Sequence, residues 1–107
     1  MKQLKFIDNL IPLILSGKKT STWRLFDDKN LSVGDELIFI NKATAEQFAT
    51  AVITSIKEKS LSEINDEDFV GRERFKNTET MIKHFRLYYG SKVAAESTVK
   101  IINFKLL

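Results

Sequence analysis

Eight consecutive residues, Gly17-Lys18-Lys19-Thr20-Ser21-Thr22-Trp23-Arg24, set a glycine, two lysines, three hydroxyls, an indole and a guanidinium side by side. A short apolar run containing Leu10, Leu13 and Ile14 comes just before them and reads as a buried helix. Gly17 then stands where a glycine past a helix end belongs. Thr20 to Leu25 read as a strand, because threonine and tryptophan suit a pleated, half-buried surface. Alternation places Thr20, Thr22 and Arg24 on one side, and Ser21 and Trp23 on the other. Lys19 falls in the turn, where its long stem can lean over the Thr22 and Arg24 face. A hydroxyl flanked by two cations at a helix-to-strand junction has two readings. One is a functional pocket; the other is an edge strand of solvated threonines beside a basic turn. Trp23 likewise reads as a core residue of the strand's inner face or as a stacking platform for a base.

The residue types exclude much other chemistry. There is no cysteine, so disulfides, thiolate metal sites and cysteine nucleophiles are absent. The single histidine, His84, removes His-pair metal sites, argues against a Ser-His-Asp arrangement, and reads as a surface or partly buried structural residue. The run Asp66-Glu67-Asp68 suits a helix start better than a hard-cation site, which wants more converging oxygens. No metal and no cofactor are expected. No apolar run approaches the roughly 20 residues that span a bilayer. The Ile7 to Leu15 segment is interrupted by Asp8, Asn9 and Pro12 and lacks a cleavage site, so a cytoplasmic protein with no membrane partner is expected. A chain of 107 residues, 43% hydrophobic and 29% charged, is expected to form one globular domain over 1–107.

Formal net charge is +3, which by itself proves no nucleic-acid binding. The distribution says more. Lys2, Lys5, Lys18, Lys19 and Arg24 stand against Asp8 alone in residues 1–26, and Lys92, Lys100 and Lys105 against Glu96 in the last seventeen. If the two ends of the chain are neighbours in a sheet, their charges form one positive face.

Element by element, Leu4 to Ile7 reads as a first strand, followed by a helix with Asp8 or Asn9 as N-cap and Pro12 in its first turn. After the Thr20 strand and the polar turn 27–30, Val33-Gly34-Asp35 leads into a strand over Leu37 to Ile40. Residues 41–47 form a polar connection, loop or brief helical turn. Phe48 to Ile56 reads as a long strand whose exposed end is framed by Lys57, Glu58 and Lys59. Leu61 to Ile64 and Asp66 to Phe69 suggest short helical pieces, and Asn77 caps a stronger helix ending at Gly90. Thr98 to Leu107 alternates as a strand with at least one buried face. Short strands, hairpin-like turns and no regular strand–helix alternation point to an α+β fold: a small, mostly antiparallel barrel decorated by two or three helices.

The set Gly17, Lys19, Thr22 and Arg24, with a preceding helix and the following Val33-Gly34-Asp35 turn, resembles the ASCH domains. These are PUA-like barrels linked to RNA, and the resemblance runs essentially the whole chain. In layout the chain is most similar to the small bacterial N4-acetylcytidine amidohydrolases. They share its length, the run Gly17-x-Lys19-Thr20-x-Thr22-x-Arg24, and a glutamate about seventeen residues before a Tyr89-Gly90 helix end. That resemblance implies Lys19, Thr22 and Glu73 as catalytic residues, with Thr20 and Arg24 as adjacent pocket residues; Lys18, beside them in the turn, is also expected to contact substrate.

The implied chemistry suits these types. A threonine hydroxyl becomes a nucleophile when a neighbour takes its proton, and a lysine can do so where burial or nearby cations favour its neutral form. A carboxylate can protonate the leaving amine and then activate water. Arg24 or turn N–H groups can stabilise the developing oxyanion. Two residues depart from the enzyme pattern: Trp23 replaces a smaller aliphatic side chain, and Arg74 follows Glu73, where a cation favours an ionised carboxylate. The competing reading is an RNA-binding module without turnover. Its basic face would comprise Lys18, Lys19, Arg24, Lys100 and Lys105, with Arg72, Arg74 and Lys76 at the rim and Trp23, Tyr88 or Phe75 for stacking. Arg72 and Arg74 also read as a solvated helix face. A protein–protein adaptor role has no direct support in the sequence, and the oligomeric state is not legible in it.

Overall fold

A computed structural model describes residues 1–27, 29–72 and 74–107. Strand β1 (Lys2–Phe6) runs into a 3-10 turn (Asp8–Leu10) and helix α1 (Ile11–Leu15), followed by β2 (Ser21–Leu25), β3 (Glu36–Asn41) and β4 (Gln47–Ser60). Two further 3-10 turns (Leu61–Glu63 and Asp66–Phe69), helix α2 (Thr78–Tyr89) and β5 (Thr98–Leu106) complete the described elements. They form one mixed five-stranded sheet in the order β1-β3-β4-β5-β2. The β1–β3 pair is parallel and the other three pairs are antiparallel, so the mostly antiparallel α+β expectation holds.

β5 explains the architecture. Its alternating apolar residues are buried on both faces: Ile102 and Phe104 join one core cluster, Val99 and Ile101 another. The first cluster fills the concave side against β1, β3, β4 and α1, with Leu4, Phe6, Leu37, Phe39, Ile53 and Ile14. The second packs Trp23 and Leu25 of β2 against Leu61, Met81, Phe85 and Val93. Each such side chain removed from water contributes roughly 1.5–3 kcal/mol, which is what fixes helices this short. At five residues, α1 is far below the length at which an isolated helix is stable, and burial of Ile14 (1% exposed) holds it.

Some local expectations are corrected. Neither Asp8 nor Asn9 is an N-cap. The chain enters a 3-10 turn from extended Ile7, no side chain caps it, and Pro12 sits in the first turn of α1. Lys57, Glu58 and Lys59 lie inside β4 rather than framing its end, because β4 continues to Ser60 while paired with β5. Residues 70–72 and 74–77 are not helical, so Arg72 and Arg74 occupy a turn-rich segment before α2. Asn77 does cap α2, accepting from the Thr80 N–H at 2.8 Å, and Gly90 ends it at φ +87°.

One acid of the 66–68 run turns inward. Asp68 is 4% exposed and accepts from Lys59 Nζ at 2.9 Å, lies 3.0 Å from Lys57 Nζ, and accepts from the Asn65 N–H at 2.9 Å. Burial alone would raise its pKa. The Asn65 N–H and the two lysines outweigh that and lower it below the ordinary aspartate value. A depressed native pKa gives stability that is full above the unfolded value of about 3.9 and is lost as pH falls through the native one. Asp68→Ala should cost roughly 2–3 kcal/mol at pH 7, below the 3–5 range for fully buried pairs because both lysines keep some solvent contact. Urea denaturation of both proteins checks this. The gap should narrow as the buffer is taken from pH 6 towards pH 2.

Candidate functional site

The two edge strands of the sheet, β1 and β2, face one another across an unclosed seam, and a cleft of about 450 Å³ lies along it. Lys5, Phe6 and Ile7 form one bank, Thr22, Trp23 and Arg24 the other, and Phe85 and Tyr88 of α2 the back wall. Arg24 crosses the seam. Its Nη2 donates to the Lys5 carbonyl oxygen at 3.2 Å, and its guanidinium carbon lies 5.0 Å from the Phe6 ring centre. Burial lowers the Arg24 pKa from its ordinary value, against opposing contributions from Tyr89 and Asp27.

The helix-to-strand junction is held from three directions. Gly17 takes φ +82° after the last turn of α1, a conformation that costs glycine little. The Lys19 N–H donates to the Leu13 carbonyl at 2.9 Å, and the Thr20 carbonyl accepts from the Phe104 N–H at 3.1 Å. The third tie comes from the distant 70–72 segment: the Gly71 carbonyl accepts from both the Thr20 and Ser21 N–H groups, at 2.9 and 3.2 Å. Gly71 has φ +78°, and a Cβ there would fall on the Thr20 hydroxyl. Only a glycine lets this backbone approach so closely.

These ties bury the functional types. Lys19 is 3% exposed and Thr22 5% exposed, and both line the cleft with Arg24. Arg72, one residue past Gly71, also lines it, with its guanidinium 4.2 Å from the Trp23 ring centre and 5.1 Å from Phe75. Trp23 is 4% exposed and belongs to the second core, yet its ring also forms cleft wall because β2 is an edge strand. The indole Nε1 is buried with no hydrogen-bond partner among the described residues. His84 and Tyr88, with ring centres 5.2 Å apart, continue the aromatic lining, and Phe75 packs 4.9 Å from the His84 ring without lining the cleft.

Other expected residues stand elsewhere. Glu73 lies outside the described residues. Lys18 is exposed away from the cleft lining, and Thr20 and Lys105 border a separate shallow depression beside α1. Arg74 pairs with Asp66 at 2.6 Å, Lys76 is exposed, and neither lines the cleft. Lys100 lies opposite Arg24 across the β2–β5 pair and is bound to Asp27 at 2.8 Å and the Leu31 carbonyl at 3.1 Å. Burial would raise the Asp27 pKa; Lys100 and the Leu31 and Lys29 N–H groups more than offset it. β1 and β5 are not neighbours in the sheet, but β2, which also lies within the first 26 residues, pairs with β5, so Arg24 stands opposite Lys100 and Lys19 borders the same depression as Lys105.

Lys5, Asn9, Lys42 and Tyr89 also line the cleft, though the sequence reading gave none of them a place in the pocket. His84, Phe85, Tyr88 and Tyr89 had a usable signal, since i, i+4 spacing puts 84 with 88 and 85 with 89 on one helix side. Lys42 had none, and Lys5 had only its place in the basic stretch 1–26. They converge only because β1 pairs in parallel with β3 and the Lys42 N–H donates to the Phe6 carbonyl at 2.8 Å.

No protein-family model and no curated protein sequence matches the chain. Solved structures do. A protein from Enterococcus faecalis aligns at 15% identity and TM-score 0.75, covering 92% of this chain and 70% of that one. The ASCH domain from Lactobacillus crispatus aligns at 17% identity and TM-score 0.70, with the same coverage. The ASCH protein of Zymomonas mobilis aligns at 10% identity and TM-score 0.67, covering 96% of this chain and 65% of that one. The chain has the ASCH-type fold, as the resemblance carried by Gly17, Lys19, Thr22 and Arg24 and backed by element order led us to expect. No described helix is long and apolar enough to cross a membrane.

Substituting Gly71 by alanine should destabilise more than substituting Gly90. Both have positive φ, but Gly90 has open space around its Cα, whereas Gly71 abuts Thr20. Strain of about 1 kcal/mol is common to both; the Gly71→Ala excess, of the order of 1–2 kcal/mol, is read from paired thermal melts.

Proposed function

We propose that this is an ASCH-domain hydrolase whose cleft accepts an N4-acylated cytosine and cleaves its exocyclic amide. One observation carries the reading: Lys19 and Thr22, both almost wholly buried, line a single aromatic cleft together with Arg24 and Arg72. The Thr22 oxygen attacks the amide carbonyl as its proton passes to the Lys19 amine, and the oxyanion forms beside the guanidinium groups. The C–N bond then breaks, the cytosine amine leaves with a proton from Glu73, and water cleaves the threonine ester to release the acid. The Arg72 guanidinium lies over the Trp23 ring, and a pyrimidine can stack on the outer face of that guanidinium.

A binding role without turnover has its own support. Lys5, Lys19, Arg24, Lys42 and Arg72 line the cleft, and no carboxylate does so among the described residues. A site that holds an anionic, aromatic ligand needs nothing more.

Purified protein should release acetate from N4-acetylcytidine, and Lys19→Ala and Thr22→Ala should each lower kcat/KM at least about a hundredfold. Both losses should appear in kcat, since the groups act on the reacting atoms. If wild-type protein releases no acetate but binds RNA with an affinity that falls steeply as salt rises, the binding role replaces the hydrolase.

A further inference from the structure

The cations of the cleft form two tiers. Lys19, Arg24 and Arg72 surround the deep end near Thr22 and Trp23, whereas Lys5 and Lys42 are exposed at the mouth. The mouth pair is set by backbone, not by chance. Lys5 lies on β1 and Lys42 just after β3, and the bond from the Lys42 N–H to the Phe6 carbonyl fixes the turn against the end of β1. Lys42 also reaches the α2 side, its Nζ standing 5.3 Å from the Tyr88 ring centre.

Elsewhere the chain neutralises many of its lysines. Lys2 pairs with Asp35, Lys57 and Lys59 with Asp68, Lys83 with Glu79, and Lys100 with Asp27. Among the described residues neither Lys5 nor Lys42 has an ion-pair partner, and no described carboxylate lines the cleft they border. The base and acyl group of a neutral nucleoside would occupy only the deep tier. Its ribose would reach the mouth with hydroxyls alone, leaving two ammonium groups without a counter-charge.

We propose that the ligand carries phosphate at its ribose end, as a nucleotide or an RNA phosphodiester, and that Lys5 and Lys42 hold that phosphate. This rests on the reading that the deep end takes an acylated cytosine. A phosphate between two ammonium groups forms charge-assisted hydrogen bonds that a ribose hydroxyl cannot match. Tyr88, with its ring beside Lys42, would then bound the sugar.

The test compares N4-acetylcytidine, its 5′-monophosphate and a pentaribonucleotide carrying one N4-acetylcytidine, at low salt. Binding of cytidine and cytidine 5′-monophosphate is measured by calorimetry alongside. The monophosphate or the pentamer should be preferred over the nucleoside by about tenfold in kcat/KM, the effect of two exposed charge contacts. Whichever is preferred identifies the source of the phosphate. In the Lys5→Ala/Lys42→Ala double variant the ratio should fall to near one. A ratio near one in wild-type protein, or one untouched by the double variant, overturns the proposal. The two readings fail separately. Acetate released equally from all three substrates would leave the hydrolase standing without a phosphate site. No acetate, but tighter binding of the monophosphate than of cytidine, would keep the phosphate site and remove the hydrolase.

Discussion

The molecule depends on a sheet that stops one strand pairing short of closure. β1 and β2 are its two edges, and the Arg24 side chain spans them with a hydrogen bond to the Lys5 carbonyl and a face against Phe6. Were the strands paired, their backbones would satisfy one another and no cleft would exist. Because they are not, the gap exposes a strand edge, which a fold must cover, charge or use. Here it is lined by lysines and aromatics and backed by a helix. A guanidinium suits the bridging position, since its planar fork can bond sideways to a carbonyl while its face rests on an aromatic ring.

Burial of Lys19 and Thr22 follows from how the junction before β2 is pinned. Helix α1, strand β5 and the Gly71 carbonyl each take one or two main-chain groups of residues 19–21. With the backbone so tied, Lys19 and Thr22 are buried where they line the seam, and Lys19 also borders the depression beside α1. The Gly71 contact also brings Arg72 beside Trp23, so one backbone approach assembles residues about fifty positions apart. A lysine held this way loses little rotamer freedom when a ligand arrives, which is the advantage of a preorganised site.

Electrostatics separate the two ends of β2. Around its far end, Lys100 meets Asp27 and lies 4.0 Å from Glu58, and the small depression there is lined by both signs of charge. Around the seam the described lining is positive only. Pairs of mixed sign at a surface stabilise little and attract no particular ligand. A one-signed concave surface with low-dielectric walls focuses its field on anions. The proposed ligand follows from this contrast more than from the overall +3 charge, which is spread across both regions.

Local sequence was enough for the strands, for α2 with its Asn77 cap and Gly90 stop, and for the turn at Gly17, because alternation, helical spacing and glycine's backbone freedom act over a few residues. It was enough also for the nearness of Lys19, Thr22 and Arg24, which share one turn and one strand. It misjudged the end of β4 and the cap before α1, where pairing with β5 and entry from extended Ile7 overrode local propensity. Lys5 and Lys42 at the mouth, Arg72 on the indole, and the withdrawal of Lys100 into an ion pair were decided by tertiary structure alone. Each depends on which strands become neighbours and on where the sheet fails to close. Those are properties of packing two cores on one curled sheet, and no short stretch of chain encodes them by itself.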